Sequence, residues 1–449
     1  MKNSTFEQAI SAQTMIDIIN TALNGVDYRL VSHGLRVAIM SHQMLLKLGQ
    51  RDPQYLQDAF ITALLHDVGA YKTDDIDQMV AFESSNIWNH SLYGYLFLRK
   101  FFPLSKFAEA VLYHHLDFCY MNSIEPGLRR LAQVIHLCDR VDVYNENNYR
   151  PERLPALLRK EAGRQFDPEL VELFLQLDEQ CRFITLPFEK WKADYQEIAL
   201  WIDRDKMQRY LEMVVFAIDF KSSFTVTHSV TTRTISTELA KLWGMDEQTI
   251  YDIWIGSLLH DVGKLYVETA IVEAPGRLTP EEMEQMRQHV DGTREVLEGR
   301  ISESILEIAC RHHEKLNGTG YPRKLSAPDL TIPQRIVCVA DIASALSCAR
   351  SYKPAFGKEK VLGILWEMVQ AGELDERVVQ LLEIKYDAIQ EKVAQAAHGV
   401  QQIYDKLQHS YKQLQTRRSQ LTMEQWVALL EDYSHQRPEI LEQTVQHWK

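Results

Sequence analysis

A chain of 449 residues is long for one domain and predicts two or three, and a 45% hydrophobic content is enough to fill real cores. A formal net charge of −13 argues against a nucleic-acid polymer as partner, because nonspecific binding of that kind draws on clustered Lys and Arg to release counterions. The N-terminal MKNSTFEQAISAQ lacks the apolar core of a signal peptide, and no apolar run reaches the roughly 18 residues of a membrane helix, so no membrane partner is expected and the compartment is read as cytoplasmic.

Apolar residues recur at i, i+3 and i+4 along most of the chain, with little β-branched alternation and few hairpin signals, which predicts an all-α protein. Residues 6–24 carry this spacing up to a break at Gly25 and Asp27. VSHGLRVAIMSHQMLLKLG follows, with Val31, Leu35, Ala38 and Ile39 on one face beside His33 and Gly49 closing the helix. The next helical pattern, QYLQDAFITALLHDVGAY, ends in His66 and Asp67 before a glycine. Residues 178–215 read as helices joining two halves, turned at Pro187 and too poor in Ser, Gly and Pro to be a floppy linker. In PGRLTPE, residues 275–281, Thr279 is a helix cap and Pro280 the first helical residue, with His289 on the helix that follows. Helices continue past Tyr352 to about residue 395. Residues 386–449 form a polar, Gln-rich helical tail whose Ile403, Leu407, Tyr411 and Leu414 make one stripe, to be covered by a domain of this chain or by a second subunit. The cysteines at 119, 138, 181, 310, 338 and 348 form no CxxC pair and read as small buried hydrophobes in a reducing compartment.

Two stretches concentrate the chemistry: SLLHDVGKL at 257–265 with His260 and Asp261, and ACRHHEKLNGTGYP at 309–322 with His312 and His313. His228, His289 and Asp341, the last inside RIVCVADIASAL, complete a set of five imidazoles and two carboxylates. Imidazole with carboxylate and no thiolate suits Mn, Fe, Co, Ni or Zn in a catalytic setting. A lone histidine on an apolar face is more often a satisfied core residue. Seven in order are different, since an adjacent His and Asp in a run as apolar as IWIGSLLHDVGKL are costly to bury without partners, and a metal answers for several at once. Seven ligands are too many for one ion. A carboxylate such as Asp261 can bridge two cations about 3.5–4 Å apart that clamp a phosphoryl group, which points to metal-assisted phosphoester hydrolysis.

The order H, HD, H, HH, D resembles the HD superfamily of metal-dependent phosphohydrolases, and HDVGK followed by HHEKLNGTGYP resembles its HD-GYP branch, bacterial phosphodiesterases that open 3',5'-cyclic dinucleotides. The resemblance covers about residues 220–385. It implies two divalent metal ions (Fe, Mn or Ni) held by His228, His260, Asp261, His289, His312, His313 and Asp341. Asp261 would bridge them, His228, His260 and Asp341 serving one ion and His289, His312 and His313 the other. It further implies that Lys264 and Asp261 act in catalysis and that Lys264, Tyr321, Arg350 and Lys353 contact substrate. The substrate would be cyclic di-GMP or 3',3'-cyclic GMP-AMP, and the product the linear 5'-phosphorylated dinucleotide. Two positions depart from the pattern. Phe224 stands one turn before the first histidine, where many members carry an acid for a third metal, and Ser344 stands three after the last ligand, where an acid often contacts guanine. A cyclic dinucleotide receptor with little turnover is the alternative.

The first half repeats the arrangement. His33 to His66 is 33 residues against 32 for His228 to His260, and His90 to His114 is 24 against 23 for His289 to His312. AGRQFDPELVELFLQL at 162–177 echoes QAGELDERVVQLLEI at 370–384, so an internal duplication is expected. The resemblance therefore implies a second HD domain with its own ligand set, His33, His66, Asp67, His90, His114, His115 and Asp139, for further divalent metal. Ala70 replaces Lys264, and HHLDFCYMNSIEPG replaces the GYP loop, so this copy is expected to be 5'-nucleotidase-like or regulatory. The organisation is read as tandem HD-domain helical bundles, 1–195 and 196–390, with a helical C-terminal tail, 391–449, and a homodimer through the tail or the N-terminal domain.

Overall fold

In the computed structural model every regular element among the described residues is a helix, as the all-α reading expects. The structure describes residues 12–24, 32–70, 88–100, 104–146, 151–192, 204–220, 225–272, 274, 276–347 and 355–435. The chain divides into two units, one made of residues 27–209 and 405–449, the other of 1–26 and 210–404.

In the unit that holds the first copy, Asp52 accepts from the Gln54 amide at 3.1 Å and Pro53 occupies the first helical position, so the helix Pro53–Leu64 starts with its exposed N–H groups accounted for. The helix His33–Lys47 lies between it and Pro126–Glu146, burying Leu35, Val37, Ala38 and Met44. The helix Trp88–Leu98 is mostly apolar and is buried along its whole length except at Asn89. Part of its cover is the C-terminal segment: Trp426 meets Trp88 edge-on at 6.0 Å between ring centroids, Tyr411 meets Tyr93 at 5.4 Å, and Arg99 donates to the carbonyls of Tyr433 and Ser434. Leu407 and Leu414 of the expected stripe are buried, so the tail folds back within this chain over the described residues.

In the other unit, His228–Trp243, Ile332–Ser347, Lys358–Gln370 and the first part of Glu376–Arg418 enclose a core that includes Ile235, Leu239, Ile336, Val339, Leu365, Val378 and Leu382. Thr279 forms the expected cap, accepting from the Glu282 amide at 3.2 Å while its own amide donates to the Glu282 carboxylate at 2.8 Å. The helix that begins there breaks at Gln288, and His289 opens a separate helix, His289–Leu297. The helix Ala12–Asn24 belongs to this unit, with Met15, Ile16, Ile18 and Ile19 buried, and packs on the turn Val262–Tyr266 and on His289–Leu297.

Both HD turns require glycine. A Cβ at Gly69 would lie 2.0 Å from the His90 carbonyl oxygen, and one at Gly263 would lie 2.0 Å from that of His289, so each turn touches the backbone of the helix that carries the third histidine. Of the cysteines, Cys138, Cys310 and Cys338 are buried as expected, Cys181 is half-buried, Cys119 is exposed because it sits in a short turn, Phe118–Tyr120, on the surface, and Cys348 lies outside the described residues. No helix among the described residues is long and apolar enough to cross a membrane.

Candidate metal centres

All seven expected ligands of the second copy converge, although they come from five separate stretches of chain. His228 opens its helix with Nε2 at 3.3 Å from Asp261 Oδ2 and 3.0 Å from Asp341 Oδ1, and His260 Nε2 lies 3.1 Å from the same Asp261 oxygen. The other Asp261 oxygen, Oδ1, faces His289 at 3.5 Å and His312 at 4.0 Å. His313 Nδ1 is 3.8 Å from Asp341 Oδ2. Asp261 thus stands between two groups, His228 with His260 and His289 with His312 and His313, and presents one oxygen to each.

The first copy has the same geometry. Asp67 Oδ2 faces His33 at 3.6 Å and His66 at 3.3 Å, while its Oδ1 faces His90 and His114, both at 3.5 Å. Asp139 Oδ1 lies 3.4 Å from His33, Asp139 Oδ2 lies 3.7 Å from His115 Nδ1, and His115 Nε2 lies 2.9 Å from His90 Nε2. The seven expected residues of this half therefore also meet.

Whether these sets suit cations can be judged from the hydrogen bonds that are made and those that are missing. The Nδ1 atoms of His66, His114, His260, His289 and His312 each lie 2.6–2.8 Å from the carbonyl oxygen three residues earlier. Donation from Nδ1 fixes the tautomer and leaves the Nε2 lone pair pointing inward. There, His66 Nε2, His114 Nε2, His260 Nε2 and Asp67 Oδ1 are buried with no hydrogen-bond partner among the described residues. Orphaned buried polar atoms cost about 1–3 kcal/mol each, and several turned to one centre fit a divalent cation. The charge states divide the set: burial would lower His260 and His228, but Asp261 and Asp341 outweigh it and raise both, His260 to about 10. Burial by itself would raise the Asp261 carboxyl, but His260, Lys264 and His228 outweigh it and hold the group well below the usual carboxylate range. Burial lowers the His313 imidazole to about 3 and keeps His312 and His289 below their usual value, so these three are neutral ligands near pH 7.

Around the second centre, Lys264 Nζ sits 2.5 Å from Asp261 Oδ2. The ring of Tyr321 lies tilted against His313 at 4.7 Å between centroids, with the Arg287 guanidinium 5.1 Å from the Tyr321 ring centroid. Arg350, Lys353 and Phe224 lie outside the described residues. Ser344 is fully buried and backs a ligand: its Oγ is 3.1 Å from His228 Nδ1 and 2.5 Å from Thr231 Oγ1. At the matching position of the first copy, Asp142 lies 2.7 Å from His33 Nδ1 and accepts from Arg36 Nε and Nη2 at 2.6 and 2.8 Å. The equal offset of Ser344 and Asp142 from the last ligand was the signal that could have marked this role. A further carboxylate outside any motif, Asp219, ends the helix Arg204–Asp219 with Oδ2 unpartnered among the described residues; burial pushes it up to about 7, within reach of the charges on His228, Asp261 and Lys264.

Glu314 is buried and accepts from the Arg323 amide at 2.7 Å and the Leu325 amide at 2.8 Å, pinning the loop that carries Tyr321. Glu314→Ala leaves both amides unsatisfied, about 1–3 kcal/mol apiece. The expected result is weaker substrate binding, read as a raised KM, with metal content retained, checked by steady-state kinetics beside elemental analysis.

A family model described as HD domain matches residues 212–378, and another with the same description matches residues 30–144, together well over half of the chain. The chain belongs to the HD-domain family. Over 406 residues, 85% of this chain and 93% of the relative, it is 28% identical to 3'3'-cGAMP-specific phosphodiesterase 1 of Vibrio cholerae. It is 35% identical to a cyclic di-GMP phosphodiesterase of Thermotoga maritima over 153 residues, 33% of this chain and 41% of the relative. A crystal structure of a cyclic GMP-AMP-specific phosphodiesterase of Vibrio cholerae has the same fold at a TM-score of 0.52 and 21% identity, covering 84% of this chain and 97% of that one.

Proposed function

We propose that this HD-family protein is a metal-dependent phosphodiesterase that opens 3',3'-cyclic dinucleotides in its second copy. The observation that carries the reading is Asp261, whose two oxygens face two separate imidazole groups while Lys264 lies against one of them. His228, His260 and Asp341 would hold one divalent cation and His289, His312 and His313 a second, with Asp261 shared; Fe, Mn or Ni fits these donors. Bound there, the cations supply Lewis acidity toward a phosphoryl oxygen and bring the pKa of water near neutrality. The chain's own residues do the rest. Lys264 Nζ meets the negative charge that builds on the phosphoryl oxygens as water attacks phosphorus and the P–O3' bond breaks, leaving a 5'-phosphate on one nucleoside and a 3'-hydroxyl on the other. Tyr321 offers a ring for a base to stack on.

Between the candidate rings, the mixed guanine-adenine one is favoured. The relative whose name specifies 3'3'-cGAMP matches along both copies, whereas the cyclic di-GMP relative matches a third of the chain. Incubating metal-loaded protein with cyclic di-GMP, cyclic di-AMP and 3',3'-cGAMP, followed by product masses, tests this; no linear product from any ring overturns it. Lys264→Ala is expected to keep its metal and lose about 10²–10³-fold in kcat, the size seen when one donor to a developing charge is removed.

For the first copy the reading is a phosphomonoesterase that takes the terminal phosphate from the linear product. What favours it is a full set of converged ligands beside Ala70, without the loop that would hold a second base. With His66→Ala/Asp67→Ala, the expected product is the 5'-phosphorylated linear dinucleotide alone, whereas the intact chain also yields its dephosphorylated form; identical product masses from both overturn it.

A further inference from the structure

The first copy has lost the lysine of the second, and Ala70 in its place is 1% exposed, but the copy does not lack a cation. Arg140, the residue after Asp139 on the helix Pro126–Glu146, turns back so that Nε and Nη2 lie 3.0 and 2.8 Å from Asp139 Oδ2. That same carboxylate, itself a candidate ligand, faces His33 at 3.4 Å and His115 at 3.7 Å, so the guanidinium lies directly against the first centre. One edge of the guanidinium is committed to Asp139. Among the described residues nothing accepts a hydrogen bond from its Nη1, and the side chain is 17% exposed, close to the 20% of Lys264.

The second copy is built the other way round. The residue after Asp341 is Ile342, which packs against the apolar core, and the cation Lys264 reaches the shared carboxylate Asp261 from the HD turn. Between the copies the positive charge has therefore moved from the shared carboxylate to the helix carboxylate, and from an ammonium to a guanidinium. The two groups suit different anions. A ring phosphodiester has two free oxygens and one negative charge, for which a point charge suffices. A terminal phosphomonoester presents three oxygens and close to two charges, which a planar fork of N–H donors matches.

We infer that Arg140 is the phosphate-binding residue of the first centre, and that the ligand it selects is a terminal phosphomonoester dianion. The inference rests on the reading of that centre as a phosphohydrolase, and it adds which side of the centre the phosphate docks from: the Asp139 side, where the second copy instead has Lys264 against the shared carboxylate. A purely structural Arg140 would only neutralise Asp139, and the two roles separate in measurement.

The test uses the full chain with the second centre silenced by His260→Ala and Asp261→Ala, loaded with Mn²⁺, and reads three quantities. They are metal content, the affinity for inorganic phosphate, and KM and kcat for a 5'-phosphorylated linear dinucleotide. Arg140→Gln is expected to keep its metal, weaken phosphate binding about 10- to 100-fold and raise KM more than it lowers kcat. Arg140→Lys keeps the charge without the fork and is expected to recover metal fully and phosphate affinity in part. Unchanged phosphate affinity in Arg140→Gln with metal in place overturns the inference, as does full recovery of phosphate affinity in Arg140→Lys. If Arg140→Gln loses metal, the lysine variant decides: metal restored with weak phosphate binding supports the inference. Arg140-dependent phosphate binding without release of phosphate from the linear dinucleotide sinks the hydrolase reading and leaves this one standing.

Discussion

Replacing His260 and Asp261 together by alanine lowers cyclic dinucleotide turnover by roughly 10⁴-fold or more, the scale found when one member of a group that acts as a unit is removed. Asp261 is the residue on which the second centre converges: His228 and His260 lie 3.3 and 3.1 Å from one oxygen, His289 and His312 lie 3.5 and 4.0 Å from the other, and Lys264 is bound to it. Without it only Asp341, 3.0 Å from His228 and 3.8 Å from His313, still faces both imidazole groups, and both candidate ligand sets lose a member. The measurement pairs product mass with elemental analysis of the purified chain. The expected outcome is lost turnover with metal falling only by what the second centre holds, since the first centre keeps all seven of its own residues. Turnover persisting in the double variant would remove the second copy from consideration as the diesterase.

Much of this site can be read without coordinates, for a physical reason. Imidazoles and carboxylates in apolar helical runs are costly unless they share a partner, so His260 with Asp261, and His66 with Asp67, mark themselves, and the repeat at nearly equal spacing identifies the remaining members. All fourteen positions lie in the two converged sets. What the chain conceals is what stands behind the ligands. Ser344 reads as a departure that weakens a guanine contact, yet its hydroxyl supports His228, and Asp142 supports His33 in the first copy. Spacing places a residue one turn along a helix and says nothing of the helix opposite. Arg140 is hidden for a related reason, since an arginine beside a buried residue reads as solvated, and only the fold reveals that it bends back onto Asp139. Amphipathic stripes have the same limit. Those of Ala12–Asn24 and of the tail announce that something covers them, but that the first lies on the HD turn of the second copy and the second on the helix of His90 follows from surface shape, which periodicity does not encode.

Removing divalent cations from the intact chain is expected to destabilise both units, by different transitions. A ligand that binds only the folded state adds RT ln(1 + [L]/Kd), about 4 kcal/mol when the free cation exceeds Kd by about 1,000-fold. For units of this size that corresponds to a fall in Tm on the order of 10 °C. The interior that remains is poor without cations: His66 Nε2, His114 Nε2 and Asp67 Oδ1 in one unit and His260 Nε2 in the other are buried with nothing to bond among the described residues. Thermal unfolding with and without chelator, followed by calorimetry, therefore separates the two centres when it is repeated on His66→Ala/Asp67→Ala. If the first copy holds metal, this variant loses one of the two chelator-sensitive shifts and keeps the other. If the first copy is a scaffold without metal, the intact chain and the variant respond alike, and its seven converged residues would be bound to one another as ion pairs in place of a cation. That second outcome demands protonated imidazoles, and the rings divide: burial would lower His33, but Asp139, Asp142 and Asp67 outweigh it and raise it well above its usual value, whereas burial lowers His90 to about 3 and His115 well below its usual value, so these two rings stay neutral near pH 7 and offer lone pairs rather than protons.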